Sequence, residues 1–299
     1  MVEGKLEANG LPRSSDMSDL PAFDEVHVIS DIHMGGKPGF QILRETNRLA
    51  NFIRWVATQW PDGRVALVLN GDVFDTLAED IRGYVAVDEA VSTVRRIMDD
   101  ASFSQIWNAL GEFVQKDGRT LVVVIGNHDI EVAFPPVQRL ILSRLAGDKL
   151  PARARIEFST AGAGYTCTVG NSRVYCIHGN EVDAWNYNRY EDLARVARRL
   201  NAGQSLDQSE WTPNAGTKMV KEVMNEVKRK YAWIDLLKPE TSAAVGALVV
   251  LDPAQAKKIT ELLGIVGRLV QSSGQVDQRL SAEGFHRPSR GYLPTGTKL

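Results

Sequence analysis

The sequence is poor in cysteine, net charge and long apolar runs. Two cysteines in 299 residues are too few for the disulfide-stapled framework of small secreted domains. A formal charge of -2 and a pI near 6.2 leave no broad basic footprint for coating nucleic acid, although the local run "RVARR" is compatible with a small patch. No apolar stretch reaches the roughly 20 residues that span a bilayer. The start, "MVEGKLEANGLPRSSDMSDLPAF", lacks the apolar centre of a signal peptide, so residues 1–22 are expected to form a flexible polar leader and the protein to be cytoplasmic. Cys167 and Cys176 flank "GNS". A two-residue turn at Asn171-Ser172 would set them opposite each other on a hairpin, but two reduced, strand-buried thiols are the expectation in that compartment. There is no internal repeat.

What is present is a regular alternation. "VHVIS", "RVALVLN" and "TLVVVIG" are nearly continuous apolar runs, as expected of strands covered on both faces. Between them, "FQILRETNRLANFIRWVATQ" carries Leu43, Leu49, Phe52, Ile53 and Val56 at helical spacing. "VDEAVSTVRRIMDDASFSQIWNALGEFVQKDG" repeats the pattern until Gly118. This is a βαβα order, hence a largely parallel sheet with covering helices. From about residue 155 shorter strands follow, "RIEFS", "GYTCTV" and "RVYCIHG", suggesting a hairpin on the same core. Then come two amphipathic runs, "NYNRYEDLARVARRLNAG" and "AGTKMVKEVMNEVKRKYAWIDLL". A third helix is expected from Asp252-Pro253 with Ile259, Leu262, Leu263, Val266 and Leu269 on one face.

Each apolar run ends in side chains able to bind a metal. "VHVIS" leads into Asp31 and His33, "RVALVLN" into Asp72 and Asp75, "TLVVVIG" into Asn127, His128 and Asp129, and "RVYCI" into His178. Ligands of parallel sheets gather at strand carboxyl ends. Singly, each residue has a bland reading: Asp31 and Asp72 as helix caps, Asn127 as a turn residue, His128 and His178 as satisfied polar groups near the core. Jointly, carboxylate, imidazole and amide donors suit manganese, iron, zinc or similar ions, and a carboxylate between two neighbouring ions can bridge them. Asp75 is expected behind the ligands or in packing, and His27, inside the first strand, is read as structural.

In these motifs the chain resembles the calcineurin-like metallophosphoesterases, whose pattern is Asp-x-His, Gly-Asp-x-x-Asp, Gly-Asn-His-Asp/Glu and a later strand-end histidine. The resemblance covers roughly residues 24 to 183. It implies an α/β fold, a β-sandwich flanked by helices with a C-terminal helical lid or lobe. The organisation is a leader at 1–22, a core at 23–183, a lid at 184–283 and a loose tail at 284–299. It implies two divalent ions, manganese favoured with iron, zinc or nickel as alternatives: Asp31 and His33 on one, Asp72 bridging, Asn127 and His178 on the other. His128 would protonate the leaving oxygen or stabilise phosphoryl charge, with Asp129 orienting it. A metal-bridging hydroxide would then hydrolyse a phosphodiester or pyrophosphate in a small, nucleotide-containing substrate.

One family feature is missing. The usual Gly-His-x-His motif after the last strand-end histidine does not occur, and the only later histidine, His286 in "GFHRPSR", stands alone. The chain is then a fragment, or a diverged site with carboxylate or water in the gaps, or a non-catalytic binding module. "HGNEVDAWNYNRYEDL" further resembles the branch of UDP-2,3-diacylglucosamine pyrophosphohydrolases. That places Trp185, Tyr187, Asn188 and Arg189 where they would meet substrate, or else anchor a helix start. A nuclease shares the early motifs but gains little from the charge balance. The expected partner is a small phosphoester, nucleic acid is disfavoured, and the oligomeric state is open.

Overall fold

The computed structural model describes residues 19–84, 87–183, 185–204, 211–231, 233–234, 237, 240–253 and 257. Two sheets form the frame. β1 (Ala22–Phe23) belongs to one sheet; β2 (Glu25–Ile29), β3 (Val65–Asn70), β4 (Arg119–Val124) and β5 (Ile156–Ser159) make an all-parallel second sheet in the order β2-β3-β4-β5. The first sheet has the order β1-β6-β7, with β6 (Tyr165–Val169) antiparallel to β7 (Ser172–Cys176) and parallel to β1. β5 therefore joins the parallel sheet, and only β6 and β7 form the expected hairpin. Pro21 O also accepts from Thr168 N, so the chain is pinned to β6 just ahead of β1.

Strand periodicity assigns each side chain to a layer. Val65, Leu67 and Leu69 of β3 and Leu121 and Val123 of β4 face a large cluster roofed by helices. These are α1 (Thr46–Thr58), α2 (Ala90–Asp99), α3 (Ser104–Gln115) and α4 (Pro135–Ala146). The intervening Ala66, Val68, Val122 and Val124 face the other way and pack on Phe23, Tyr165, Cys167 and Cys176 between the sheets. The long helical run expected before Gly118 is two helices, because Asp100 accepts from Ser102 N and starts a 3-10 turn at Ala101–Phe103.

Three expectations need correction. β2 is an edge strand, so it is not covered on both faces: Val28, on the sandwich side, is 44% exposed, beyond the reach of the three-stranded sheet. The hairpin turns at Gly170-Asn171, since Val169 pairs with Ser172 and Gly170 adopts φ 56°. Cys167 therefore faces Val174 and Cys176 faces Tyr165; both thiols are free and buried. After a short α5 (Leu150–Arg153) and α6 (Tyr190–Asn201), the second amphipathic run is broken into α7 (Ala215–Met219), a π turn (Val220–Met224) and α8 (Asn225–Lys230). A further helix, α9 (Glu240–Leu251), comes before the third helix expected from the sequence, and Pro253 and Lys257 are helical after the break at Asp252, as that expectation has it. Ile259 and the rest of that expected face, His286, and the 284–299 tail lie outside the described residues.

Candidate metal centre

The first two motifs are zipped together by backbone. Past the ends of β2 and β3 the ladder continues: Asp31 N donates to Gly71 O, His33 N to Asp72 O, Met34 N to Val73 O, and Asp75 N returns to Met34 O. Holding two strand-to-loop exits in register leaves their side chains crowded on one side, and the backbone bears the strain. Among the described residues four non-glycines have positive φ, and three of them are Asp31 (55°), His33 (51°) and Asp72 (52°). Left-handed backbone is disfavoured for such residues and collects at functional sites.

Glycines make the room. A Cβ on Gly126 would lie 2.0 Å from Asp72 Oδ1, and one on Gly71, itself at φ 84°, would lie 2.4 Å from the His178 ring. The glycine of each Gly-Asp and Gly-Asn pair is therefore required by the neighbouring motif's side chain.

The Asp72 carboxylate is the hub. Its Oδ1 accepts from His128 N at 2.9 Å, while Oδ2 lies 3.3 Å from His178 Nε2 and 3.6 Å from His33 Nε2. Asp31 Oδ1 is 4.0 Å from the same His33 nitrogen, and its side chain is 61% exposed. His178 Nδ1 donates to Asn70 O at 2.8 Å, which fixes the proton there and turns the Nε2 lone pair towards Asp72. Lone pairs facing a carboxylate across such gaps repel unless a proton or a cation stands between them. His33 Nδ1 is buried with no hydrogen-bond partner among the described residues. Asp31, His33 and Asp72 can bring one donor atom each within 4.8 Å of one another, as can His33, Asp75 and His128. The residues present therefore fit a divalent cation, and a carboxylate shared by two imidazoles fits a pair of cations.

Charge follows geometry. Burial opposes ionisation of Asp72, but the neighbouring His128, His178 and His33 hold its carboxyl far below the usual carboxylate range. Burial also disfavours a charged His178, yet the bond to Asp72 and its charge lift the ring to about 9. His128 is likewise raised to about 9, against burial, by Asp72 and Asp75. His33 is shifted the other way, mainly by burial and then by the charge of His128, whose ring meets it edge-on at 4.7 Å.

The orienting partner of His128 is Asp75, not Asp129. Asp75 Oδ1 accepts a hydrogen bond from His128 Nδ1 at 3.0 Å, whereas Asp129 is fully buried and accepts from Gly126 N and Val73 N, both at 2.7 Å. Asp129 thus clamps the β3 and β4 exits, and burial together with the Asp72 charge raises its pKa. Asn127 lies between Gly126 and His128, nearly buried, on the loop whose N–H groups bind Asp72 and Asp129. The sequence reading missed Asn70: its Nδ2 donates to Ile177 O at 2.8 Å while its own carbonyl holds His178, stitching one sheet to the other at the site. A polar residue closing an apolar strand was the available signal.

The four residues expected near substrate separate. Asn188 is fully buried, donates to Gly126 O at 2.8 Å and accepts from Asn214, so it supports the Gly126 loop and is not a substrate contact. Arg189 pairs with Asp192 at 2.9 Å, Tyr187 meets the Tyr190 ring edge-on, and Trp185 is held through its backbone by Asp183 and Gly216. Those contacts anchor the start of α6.

The family model of calcineurin-like phosphoesterases matches residues 25–233. The chain belongs to that family. The match runs from β2 through α8 and so includes every strand-end motif and the first helices beyond them. Metal-dependent phosphoester hydrolysis is the activity the family suggests, and the shared carboxylate and imidazoles of this phosphoesterase domain suit divalent metals. Searches of the curated proteins and of the solved structures find no match. No helix among the described residues is long and apolar enough to cross a membrane.

Proposed function

We propose that this phosphoesterase hydrolyses a phosphodiester or pyrophosphate bond in a small, nucleotide-containing substrate with two divalent ions. The observation that carries the reading is the Asp72 carboxylate set between the His33 and His178 Nε2 atoms, at 3.6 and 3.3 Å. Asp31, His33 and Asp72 would hold one ion, and Asp72, Asn127 and His178 the other; manganese is favoured by the mixture of carboxylate, imidazole and amide donors. Bound there, the ions supply Lewis-acid neutralisation of phosphoryl charge and a lowered pKa for coordinated water. His128, hydrogen-bonded to Asp75 through Nδ1, would hand an Nε2 proton to the leaving oxygen. Asp75 fixes the ring, and Asp129 and Asn188 hold the loop that carries it. The helices beyond His178 support a lid over the site and a place nearest the UDP-2,3-diacylglucosamine pyrophosphohydrolase-like branch. Two free, buried thiols support a reducing, cytoplasmic setting.

The second reading is a non-catalytic, phosphate-binding module, favoured by the open Asp31 side of the site. His128→Ala separates the two. On the enzymatic reading, turnover of bis-p-nitrophenyl phosphate with added manganese falls by about 10²–10⁴-fold while bound metal persists. Absence of turnover by the unsubstituted protein on that ester, on UDP-sugars and on single-stranded DNA would leave the binding module.

A further inference from the structure

The loop that follows β3 holds His128 by every polar atom but one. Asp72 Oδ1 accepts from His128 N at 2.9 Å, Asp75 Oδ1 accepts from Nδ1 at 3.0 Å, and His128 O accepts from Thr76 Oγ1 at 2.7 Å. Among the described residues, Nε2 has no hydrogen-bond partner. The residues between these contacts anchor the loop. Val73 and Phe74 are buried in the helix-roofed core, where Phe74 stacks on Trp107 of α3 with ring centroids 5.4 Å apart. Val73 N and Phe74 N both donate to Asp129 Oδ2, at 2.7 and 3.4 Å, so the loop carrying His128 also grips the loop that holds it.

Thr76 is the member of this set that no sequence motif contains. It is fully buried and opens a 3-10 turn at Thr76–Ala78. Glu131 Oε2, also fully buried, lies 2.8 Å from the same hydroxyl oxygen. In so dry a place a lost hydrogen bond is not replaced by water, and the carbonyl left behind bears the cost of its own desolvation. A β-branched side chain has few χ1 states, which keeps the hydroxyl aimed. Thr93 supplies the contrast: it too is fully buried, in α2, yet its Oγ1 has no hydrogen-bond partner among the described residues.

We infer that Thr76 is a positioning residue: its hydroxyl fixes the His128 carbonyl and, with Asp72 and Asp75, sets the direction in which Nε2 faces the reacting phosphoryl group. This rests on the phosphoesterase reading above. The hydroxyl sets the peptide plane that carries the ring, so a small tilt of that plane is magnified at Nε2. A misplacement on the order of 1 Å can cost about 100-fold in turnover.

The test is Thr76→Val, which removes the hydroxyl at nearly constant volume, studied in the manganese-loaded full chain below its thermal transition. Hydrogen exchange read by mass spectrometry should quicken about tenfold in the peptide containing His128, with β3 and β4 unchanged. With bis-p-nitrophenyl phosphate, kcat should fall by about 10–100-fold while KM stays within about twofold and bound manganese is retained. Thr76→Ala, which relieves any crowding around the lost hydroxyl, should give the same pattern. Thr76→Ser, which keeps the hydroxyl, should recover most of both readings, and Thr93→Val, which deletes a buried hydroxyl that holds nothing, should alter neither. Unchanged exchange around His128, unchanged kcat, or a loss that serine does not recover would overturn the assignment. If the unsubstituted protein turns over no phosphoester, the hydrolase reading fails, and exchange alone decides whether Thr76 holds His128.

Discussion

Asp31, His33 and Asp72 each hold a left-handed backbone that costs on the order of 1 kcal/mol, and the backbone ladder between the two loops keeps them there. At this scale the sharpest consequence concerns a glycine. Gly126→Ala puts a methyl group against Asp72 Oδ1, so metal affinity should fall by roughly 10–100-fold with the fold retained. Elemental analysis after dialysis against buffered manganese reads this directly, and unchanged metal content would contradict the crowding argument. The thiols give a second prediction. Burial pushes Cys167 up to about 11 and raises Cys176 as well, so the thiolate is scarce at neutral pH. Ellman's reagent should find no fast-reacting thiol in the native protein and two after denaturation. The native rate should rise with pH towards about 11 for Cys167. Which residues the fold brings together was largely legible from the motifs, because they end apolar runs. Their pairing was not: the sequence reading gave Asp129 as the partner of His128, and the fold of the Asp72 loop brings Asp75 there instead. Asn188 was misread for the same reason, since nothing in "NYNRY" announces that its amide reaches back to Gly126.

Elements position those residues through their ends. Arg119, nearly fully buried at the start of β4, donates to Ala57 O at 3.1 Å, Gln59 O at 2.7 Å, Trp60 O at 3.3 Å and Gly63 O at 2.9 Å. One guanidinium thereby satisfies the carboxyl end of α1 and the turn into β3. Arg119→Ala leaves those carbonyls unpaired and a void behind, so a loss of about 3 kcal/mol and a clear fall in melting temperature are expected. Turnover below the new transition should be nearly unchanged, because Arg119 lies at the opposite end of the strand from the site. Thermal unfolding with a parallel activity assay checks both. The elements themselves were legible where hydrophobic period was strong, as in β3, β4 and α1. The break between α2 and α3 was hidden because Asp100 terminates one helix and caps the next turn without interrupting the apolar spacing. The edge position of β2 was hidden because strand order is a tertiary property: "VHVIS" reads as buried on both faces, yet among the described residues β3 is its only strand neighbour.

For the whole molecule, the parallel sheet carries three of the four motif-bearing exits and the smaller sheet delivers His178. Asn70 joins them, so the site exists only when the sandwich is closed. Ligand binding to such a site is linked to global stability: manganese at 100 times its dissociation constant should add about 2.7 kcal/mol per site, and chelation should remove it. Melting temperature measured against manganese concentration checks this, and a curve that does not move would mean the site binds nothing in the folded state. The helices beyond His178 add to this frame, because Lys221, Glu222 and Asn225 bond to Glu79, Tyr84 and Leu77 in the loop that follows β3. The most direct test of the central claim is metal stoichiometry at equilibrium for the unsubstituted chain and Asp72→Asn. Two divalent ions per chain, lost on removing the shared carboxylate charge, is the predicted result; no bound ion, or full retention in Asp72→Asn, would contradict a two-metal centre built on Asp72.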